Sequence, residues 1–188
     1  MYPIRHFRTI THHRPLVRKY CFRVGLYWRG LTHDLSKYSP TEFWRGARDY
    51  QGTFSPTQQE RRENGYSLAW MHHKGRNRHH FEYWTDVSPV THQYEPLEMP
   101  TEFFVEMCMD RIAASRTYLG DQYHDGAPLE YLQRAGDNRW MHPVTARKLR
   151  FILTMLRDKG EEKTFRFIRE VAVSYTHLRA HETRHDLV

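Results

Sequence analysis

Residues 30–43 read GLTHDLSKYSPTEF, and the reading of that stretch decides the fold around it. Its second half is a helix start. Ser39 can cap, Pro40 suits the first helical position, and Glu42 stands three residues after the cap. Phe43, Trp44 and Ala47 continue that helix. The first half, Leu31 to Lys37, begins a short helical piece that carries His33 and Asp34 side by side. Adjacent residues do not share a helix face, but at a helix start or bend both can reach one cation. A neutral imidazole and a carboxylate are good ligands for a divalent transition metal.

Working outward, residues 4–30 place Leu16, Val17, Tyr20, Val24 and Tyr27 at three- and four-residue steps, which predicts a helix. Gly25 and Gly30 weaken its end and suggest a bend. Residues 51–65 are polar and broken by Gly52, Pro56 and Gly65, so a loop is expected. Tyr66 to His73 is helical in character, the stretch from Lys74 to Asn77 interrupts it, and His79 to Trp84 resumes. Residues 85–100 hold Pro89, Pro96 and Pro100 and read as irregular. Thr101 is a plausible cap for a helix to about Leu119, followed by a turn region and a short helix from Leu129 to Arg134. Pro143 opens the last helix, whose stripe is Leu149, Ile152, Leu153 and Leu156; Phe165 and Ile168 continue the pattern after Gly160. No repeat and no strand is read. The expected class is all-α, a compact helical domain over residues 1–171, with Trp28, Trp70 and Trp84 in its core.

Residues 172–188 depart from this pattern. Their apolar periodicity stops, and SYTHLRAHET at 174–183 resembles translated sequencing-adapter read-through. His177, His181 and His185 fall at helical spacing, but the segment is expected to be a non-native or disordered tail and is set aside from function.

The totals bound the partners. A chain of 188 residues suits one domain, and its 12 Tyr, 10 Phe and 5 Trp exclude a disordered one. Two cysteines, Cys21 and Cys108, are too few for a secreted disulfide framework, so a cytoplasmic location is expected. No apolar leader and no membrane span is read. The net charge of +7 attracts phosphates, nucleic acid or anionic lipid. Lys and Arg are spread along the whole chain, so a soluble surface with a cationic bias stands at least level with nucleic-acid binding; a phosphorylated small molecule or nucleotide also fits and is the expected partner, with nucleic acid a further one.

The 14 histidines carry the chemistry. His12 and His13 precede His33 by about one helix. His72-His73 and His79-His80 repeat at a step of seven, so His72 with His79, or His73 with His80, is expected to share a helix face. Glu82 follows them. Asp110 lies among Met109, Ile112 and Ala113, where a carboxylate pointing inward needs a cation to offset its desolvation.

The stretch 30–43 resembles the HD motif of metal-dependent hydrolases. The order His13, His33-Asp34, His73, His80, Asp110 is similar to the ligand order of dinuclear HD-domain proteins. More closely, the chain resembles domain-of-unknown-function family 5662. The shared stretches are WRGLTHDLSK at 28–37, AWMHH at 69–73, NRHH at 77–80, Tyr83-Trp84, Met99-Pro100, Glu106-Met107 with Asp110, and HPVT at 142–145. The resemblance implies one or two divalent ions (Mn, Fe, Co, Ni or Zn). His13, His33, Asp34 and Asp110 would hold the first, and His73 and His80 would complete the second with Asp34 bridging; His72 and His79 are alternates. Asp34, Lys37 and Glu82 are the candidate catalytic residues, Glu82 by orienting a ligand histidine. Lys37, Arg76, Asn77 and Arg78 are candidate phosphate contacts. The implied activity is hydrolysis of a phosphate ester or nucleotide. The alternatives are a di-iron or di-manganese redox enzyme, oxygenase or catalase-like, and a non-catalytic basic module that binds nucleotide or nucleic acid.

Overall fold

A computed structural model describes residues 1–136 and 140–185, with side chains through Val171. Helices dominate, as the periodicity predicts. They are α1 (Pro3–Arg23), α2 (Tyr27–Thr32), α3 (Pro40–Arg48), α4 (Pro56–Asn64), α5 (Leu68–Arg76), α6 (Thr101–Leu119), α7 (Ala127–Ala135) and α8 (Pro143–His185), the last kinked at Gly160. The helical backbone of α8 enters the segment set aside as a tail. The side chains of 172–185, His177 and His181 among them, lie outside the described residues, as do residues 186–188 altogether.

The centre is α6. From Phe103 to Met109 every side chain is buried, because α1 lies on one side of it and α7 and α8 on the other. Val17, Tyr20 and Cys21 of α1, with Val24 just after it, share one buried cluster with Met107, Cys108 and Ile112 of α6, and Leu149, Leu153, Leu156 and Phe165 of α8 close it. Both cysteines are free and buried there, and burial pushes each thiol up to about 12. All-round burial of a helix has a consequence for the site: Glu106 is carried inside with its neighbours, at 3% exposure.

Several sequence expectations need correction. The chain turns at Gly25, whose φ of 86° favours glycine, but Gly30 lies buried within α2 and makes no bend. Residues 56–64 form α4 rather than a loop, started by Pro56 and ended by Gly65 in the left-handed region. Its one buried side chain, Glu60, takes hydrogen bonds from Arg45, Ser67 and the Ala69 amide, so the helix is anchored by charge where apolar periodicity is silent. A hairpin also exists: Thr85–Val87 (β1) pairs antiparallel with Tyr94–Pro96 (β2), Pro96 sitting at its open end. Helix α5 runs through Lys74 and Gly75 to Arg76, and His79 to Trp84 is a turn followed by a 3₁₀ turn at Phe81–Tyr83. Trp28 is 74% exposed and outside the core, whereas Trp84 packs on Phe103.

Helices α1 and α3 meet at Gly46, where the imidazole of His6 lies over the glycine. A Cβ there would stand 2.3 Å from His6 Nε2. Gly46→Ala is expected to cost about 1–3 kcal/mol through this clash. Gly75→Ala, in an exposed and open helical position, is expected to gain about 0.5–1 kcal/mol. Denaturant titration of both variants checks the pair of opposite signs.

Candidate metal centre

The site is built on a backbone turn. Between α2 and a 3₁₀ turn at Leu35–Tyr38, Asp34 adopts φ 54° and ψ 26°, the left-handed region that Asp tolerates better than most residues. That one residue sends the adjacent side chains of His33 and Asp34 to the same interior point, at 2% and 1% exposure. Arg14 on α1 pins the turn by donating to the carbonyls of His33 (2.7 Å) and Leu31 (3.3 Å).

The Asp34 carboxylate is the hub. Its Oδ1 lies 3.3 Å from His73 Nε2 and 3.4 Å from His79 Nε2. Its Oδ2 lies 3.3 Å from His33 Nε2 and 2.6 Å from Lys37 Nζ. Asp110 on α6 stands beside it, with Oδ1 2.9 Å from His13 Nε2 and 3.5 Å from His33 Nε2. Two groups therefore share Asp34: His13, His33, Asp34 and Asp110, and Asp34, His73, His79 and His80. In each, one donor atom per residue falls within 4.8 Å of all the others.

These buried groups can hold metal ions. His33 Nε2, His79 Nε2, His80 Nε2 and Asp34 Oδ1 are buried without a hydrogen-bond partner. Unpartnered polar atoms in a dry interior cost free energy, and several of them converging on one point ask for a shared cation. Nitrogen and carboxylate donors of this kind suit Mn, Fe, Co, Ni or Zn.

Two glutamates aim the ligands. Glu42 accepts from His72 Nδ1 (2.6 Å) and from His73 Nδ1 (2.7 Å). Its place is set by the Ser39 cap, whose hydroxyl accepts from the Glu42 amide and fixes where α3 starts. Glu106 accepts from His33 Nδ1 (3.0 Å), lies 3.2 Å from His79 Nδ1, and has Arg29 3.6 Å away on its other oxygen. Committing Nδ1–H to a carboxylate leaves Nε2 free and turned toward Asp34. A third cluster, His33, His79 and Glu106, also has ion-holding spacing. Its atoms are those of the Nδ1 contacts, so it supports the first two groups rather than forming another site.

Charge follows the same plan. Burial pulls His33 and His73 down, but neighbouring carboxylates, Asp34 first, outweigh it and hold both imidazoles above their ordinary value. Burial lowers His80 far below its usual range, with His79 and His73 adding to the effect, and lowers His13 despite its bond to Asp110. Burial works against ionised Asp34 and Asp110, yet surrounding histidines (and Lys37 at Asp34) keep both carboxyls well below the carboxylate range.

Of the residues singled out in the sequence, His13, His33, Asp34, His73, His80 and Asp110 come together here, and His79 joins them. His72 does not; its Nδ1 bonds Glu42 at the edge of the site. The shared-helix expectation for the histidine doublets is corrected: α5 ends at Arg76, so His79 and His80 return to His73 through a turn, with the His73 and His80 rings 4.8 Å apart. Glu82, in the next 3₁₀ turn, is outside both ligand groups. Asn77 faces inward and ties His73 to Ser36, donating to the His73 carbonyl and the Ser36 hydroxyl at 2.8 Å each, so it positions a ligand. Arg76 is exposed, and Arg78 lies over the Tyr83 and Phe103 rings. Sequence reasoning missed Glu42 and Glu106 as supports. The capping pattern that marks Glu42 was legible, but a helical glutamate ordinarily faces water.

A cavity of about 130 Å³ opens onto the centre. His13, His73, His80 and Lys37 are among its lining residues, as are the apolar side chains of Ile10 and Trp70. Neither Arg76 nor Arg78 lines it.

The fold and these donors define a class: a mostly helical, all-α protein with a buried carboxylate shared between two histidine-rich groups able to hold metal ions. The chain belongs to a family of unknown function (DUF5662), whose family model matches residues 3–155. No curated protein and no solved structure matches it.

Metal binding must displace protons from His33 and His73, whose charged forms the carboxylates favour. Metal affinity is therefore expected to fall as pH falls, by about tenfold per pH unit for each proton displaced. In metal-free protein the stabilising contribution of these two imidazoles is complete below their ordinary value and lost as pH rises through the raised one. Added metal is thus expected to protect most on the alkaline side. Calorimetric metal titrations and melting curves across pH test both signs. Glu42→Gln and Glu106→Gln are each expected to weaken metal binding about 10–100-fold.

Proposed function

We propose that the protein is a metal-dependent phosphohydrolase of the HD type, acting on a phosphate ester or nucleotide. One observation carries the reading: the cavity is lined by residues of both donor groups, His13 from the first and His73 and His80 from the second, together with Lys37. The chain order of these residues, His13, His33-Asp34, His73, His80 and Asp110, supports the HD assignment. Ions held here supply activation of water near neutral pH and neutralisation of charge on a phosphoryl group.

The residues have separate tasks. Asp34 serves both donor groups and fixes their spacing. Lys37 is held by Asp34 on one side and faces the cavity on the other, where its ammonium meets a phosphate oxygen. Ile10 and Trp70 exclude water from one wall, which strengthens each charge interaction inside. In the overall reaction water adds to phosphorus, the ester P–O bond breaks, and the leaving alcohol takes a proton.

A redox role, with iron or manganese, is the second reading. The observation in its favour is the number of imidazoles around Asp34 and Asp110, a donor set that suits iron as well as manganese. Iron in the purified protein with oxygen uptake or peroxide decay supports it.

Phosphoesters and nucleotides screened with added Mn, Co, Ni, Fe and Zn are expected to show metal-dependent release of phosphate. His33→Ala and Asp34→Ala are expected to reduce it to background. Lys37→Ala is expected to raise KM when the ammonium binds ground state and transition state alike, and to lower kcat when it acts only in the latter. Steady-state kinetics separates the two. Turnover unchanged in both ligand variants would overturn the hydrolase reading.

A further inference from the structure

A second cleft adjoins the cavity. It holds about 310 Å³, is open to solvent, and is lined by Arg5, Arg8 and His12. Thr9, Thr117 and Tyr118 line both spaces, so the two adjoin along these three residues. The arrangement follows from α1. Residues 5, 8 and 12 recur at steps of three and four and form one facet of the helix, while residues 6, 9, 10 and 13 form the facet beside it and line the inner cavity. Along α1 from His13 toward the N-terminus, the cationic facet therefore lies beside the cavity-lining one, with Thr9 on the border of both spaces. At 1.5 Å of rise per residue, Arg5 stands about 12 Å along the axis from His13.

Three features make the cleft more than a basic surface. No carboxylate among the described residues forms an ion pair with Arg5, Arg8 or His12, and Arg5 lies instead over the Tyr2 ring. Many other arginines are paired: Arg23 with Glu161 and Glu162, Arg29 with Glu102, Arg45 with Glu60. The residues shared by the two spaces carry hydroxyls, and Thr9 is fixed by a 2.8 Å hydrogen bond with Tyr50. The inner cavity is small, and its one ammonium, Lys37, already faces Asp34. An additional anionic group on a ligand finds no free cation inside. The cations of the adjoining cleft are Arg8 and Arg5, with the His12 imidazole beside them, and guanidinium forks match phosphate and carboxylate.

We infer that the substrate is a small molecule with two anionic groups: a phosphoester that enters the inner cavity, and a second phosphate or carboxylate held on the Arg5, Arg8 and His12 facet. The identity of the group that is cleaved rests on the hydrolase reading; the cationic facet rests on geometry alone. This also moves the anion contacts from Arg76 and Arg78 to the first half of α1.

The probes are short alkanediols bearing one phosphate or two, in a series of spacer lengths, bound to metal-free and metal-loaded protein by calorimetry. Wild type is expected to prefer one bisphosphate over its monophosphate by about tenfold or more. Arg5→Ala with Arg8→Ala should abolish that preference, and Arg5→Lys with Arg8→Lys should retain part of it. Arg76→Ala with Arg78→Ala removes the same charge away from the cleft and should leave the preference intact. The inference is overturned if wild type shows no preference at any spacer length, if the preference survives loss of Arg5 and Arg8, or if losing Arg76 and Arg78 reduces it equally. Equilibrium binding separates this from the hydrolase reading. A preference lost with Arg5 and Arg8, without turnover of any phosphoester, supports the facet and removes hydrolysis. Turnover without a preference does the reverse.

Discussion

A buried carboxylate with too many basic neighbours organises this protein. Asp34 is almost fully enclosed, and His33, His73, His79 and Lys37 all approach its two oxygens. Isolated, a buried carboxylate is costly; with histidines whose Nε2 atoms have no other partner, it can serve as one corner of a cation site. His33 and Lys37 are local to Asp34, but His73 and His79 come from a distant part of the chain, so the fold must close for these charges to meet. Helix α1 brings His13, the left-handed turn brings His33 and Asp34, the end of α5 and the turn after it bring His73, His79 and His80, and α6 brings Asp110 and Glu106.

Support for the site is placed with equal care. Glu42 and Glu106 each hold a pair of imidazole Nδ1 atoms, so the carboxylates that do not face the candidate ions determine where the ligand atoms point. This makes the core and the site one structure. Glu106 is inside because α6 is buried on all sides, and Glu42 is where it is because Ser39 caps α3. The open face is α1, which lines the inner cavity with one facet and the cationic cleft with the next.

The sequence made much of this legible. The all-α class follows from apolar stripes such as Leu149 to Leu156 and from the Ser39-Pro40 start, where local propensity and burial agree. The central residues are readable because His33 and Asp34 are adjacent and other histidines fall in pairs around them. What stayed hidden has physical reasons. Helix α4 is anchored through Glu60 and has no apolar face to betray it. The hairpin is short and contains Pro96, so it carries neither alternation nor length. Choosing within the His79-His80 doublet failed as a helical argument because a turn, not a helix, returns both residues to the site. Arg5 and Arg8 gave no signal, since a cation on an exposed helix face acquires meaning only when a cavity is found beside it.

The central claim is that Asp34 is shared between two ions or marks the edge of one. Anomalous diffraction at the metal absorption edge, from crystals of the metal-loaded protein, tests it most directly. The account predicts density beside the Asp34 carboxylate, within ligand distance of Nε2 atoms of His33, His73, His79 or His80, with Glu42 and Glu106 still hydrogen-bonded to Nδ1. Density on the Nδ1 side, between Glu106, His33 and His79, or no density near Asp34 at saturating metal, would contradict it.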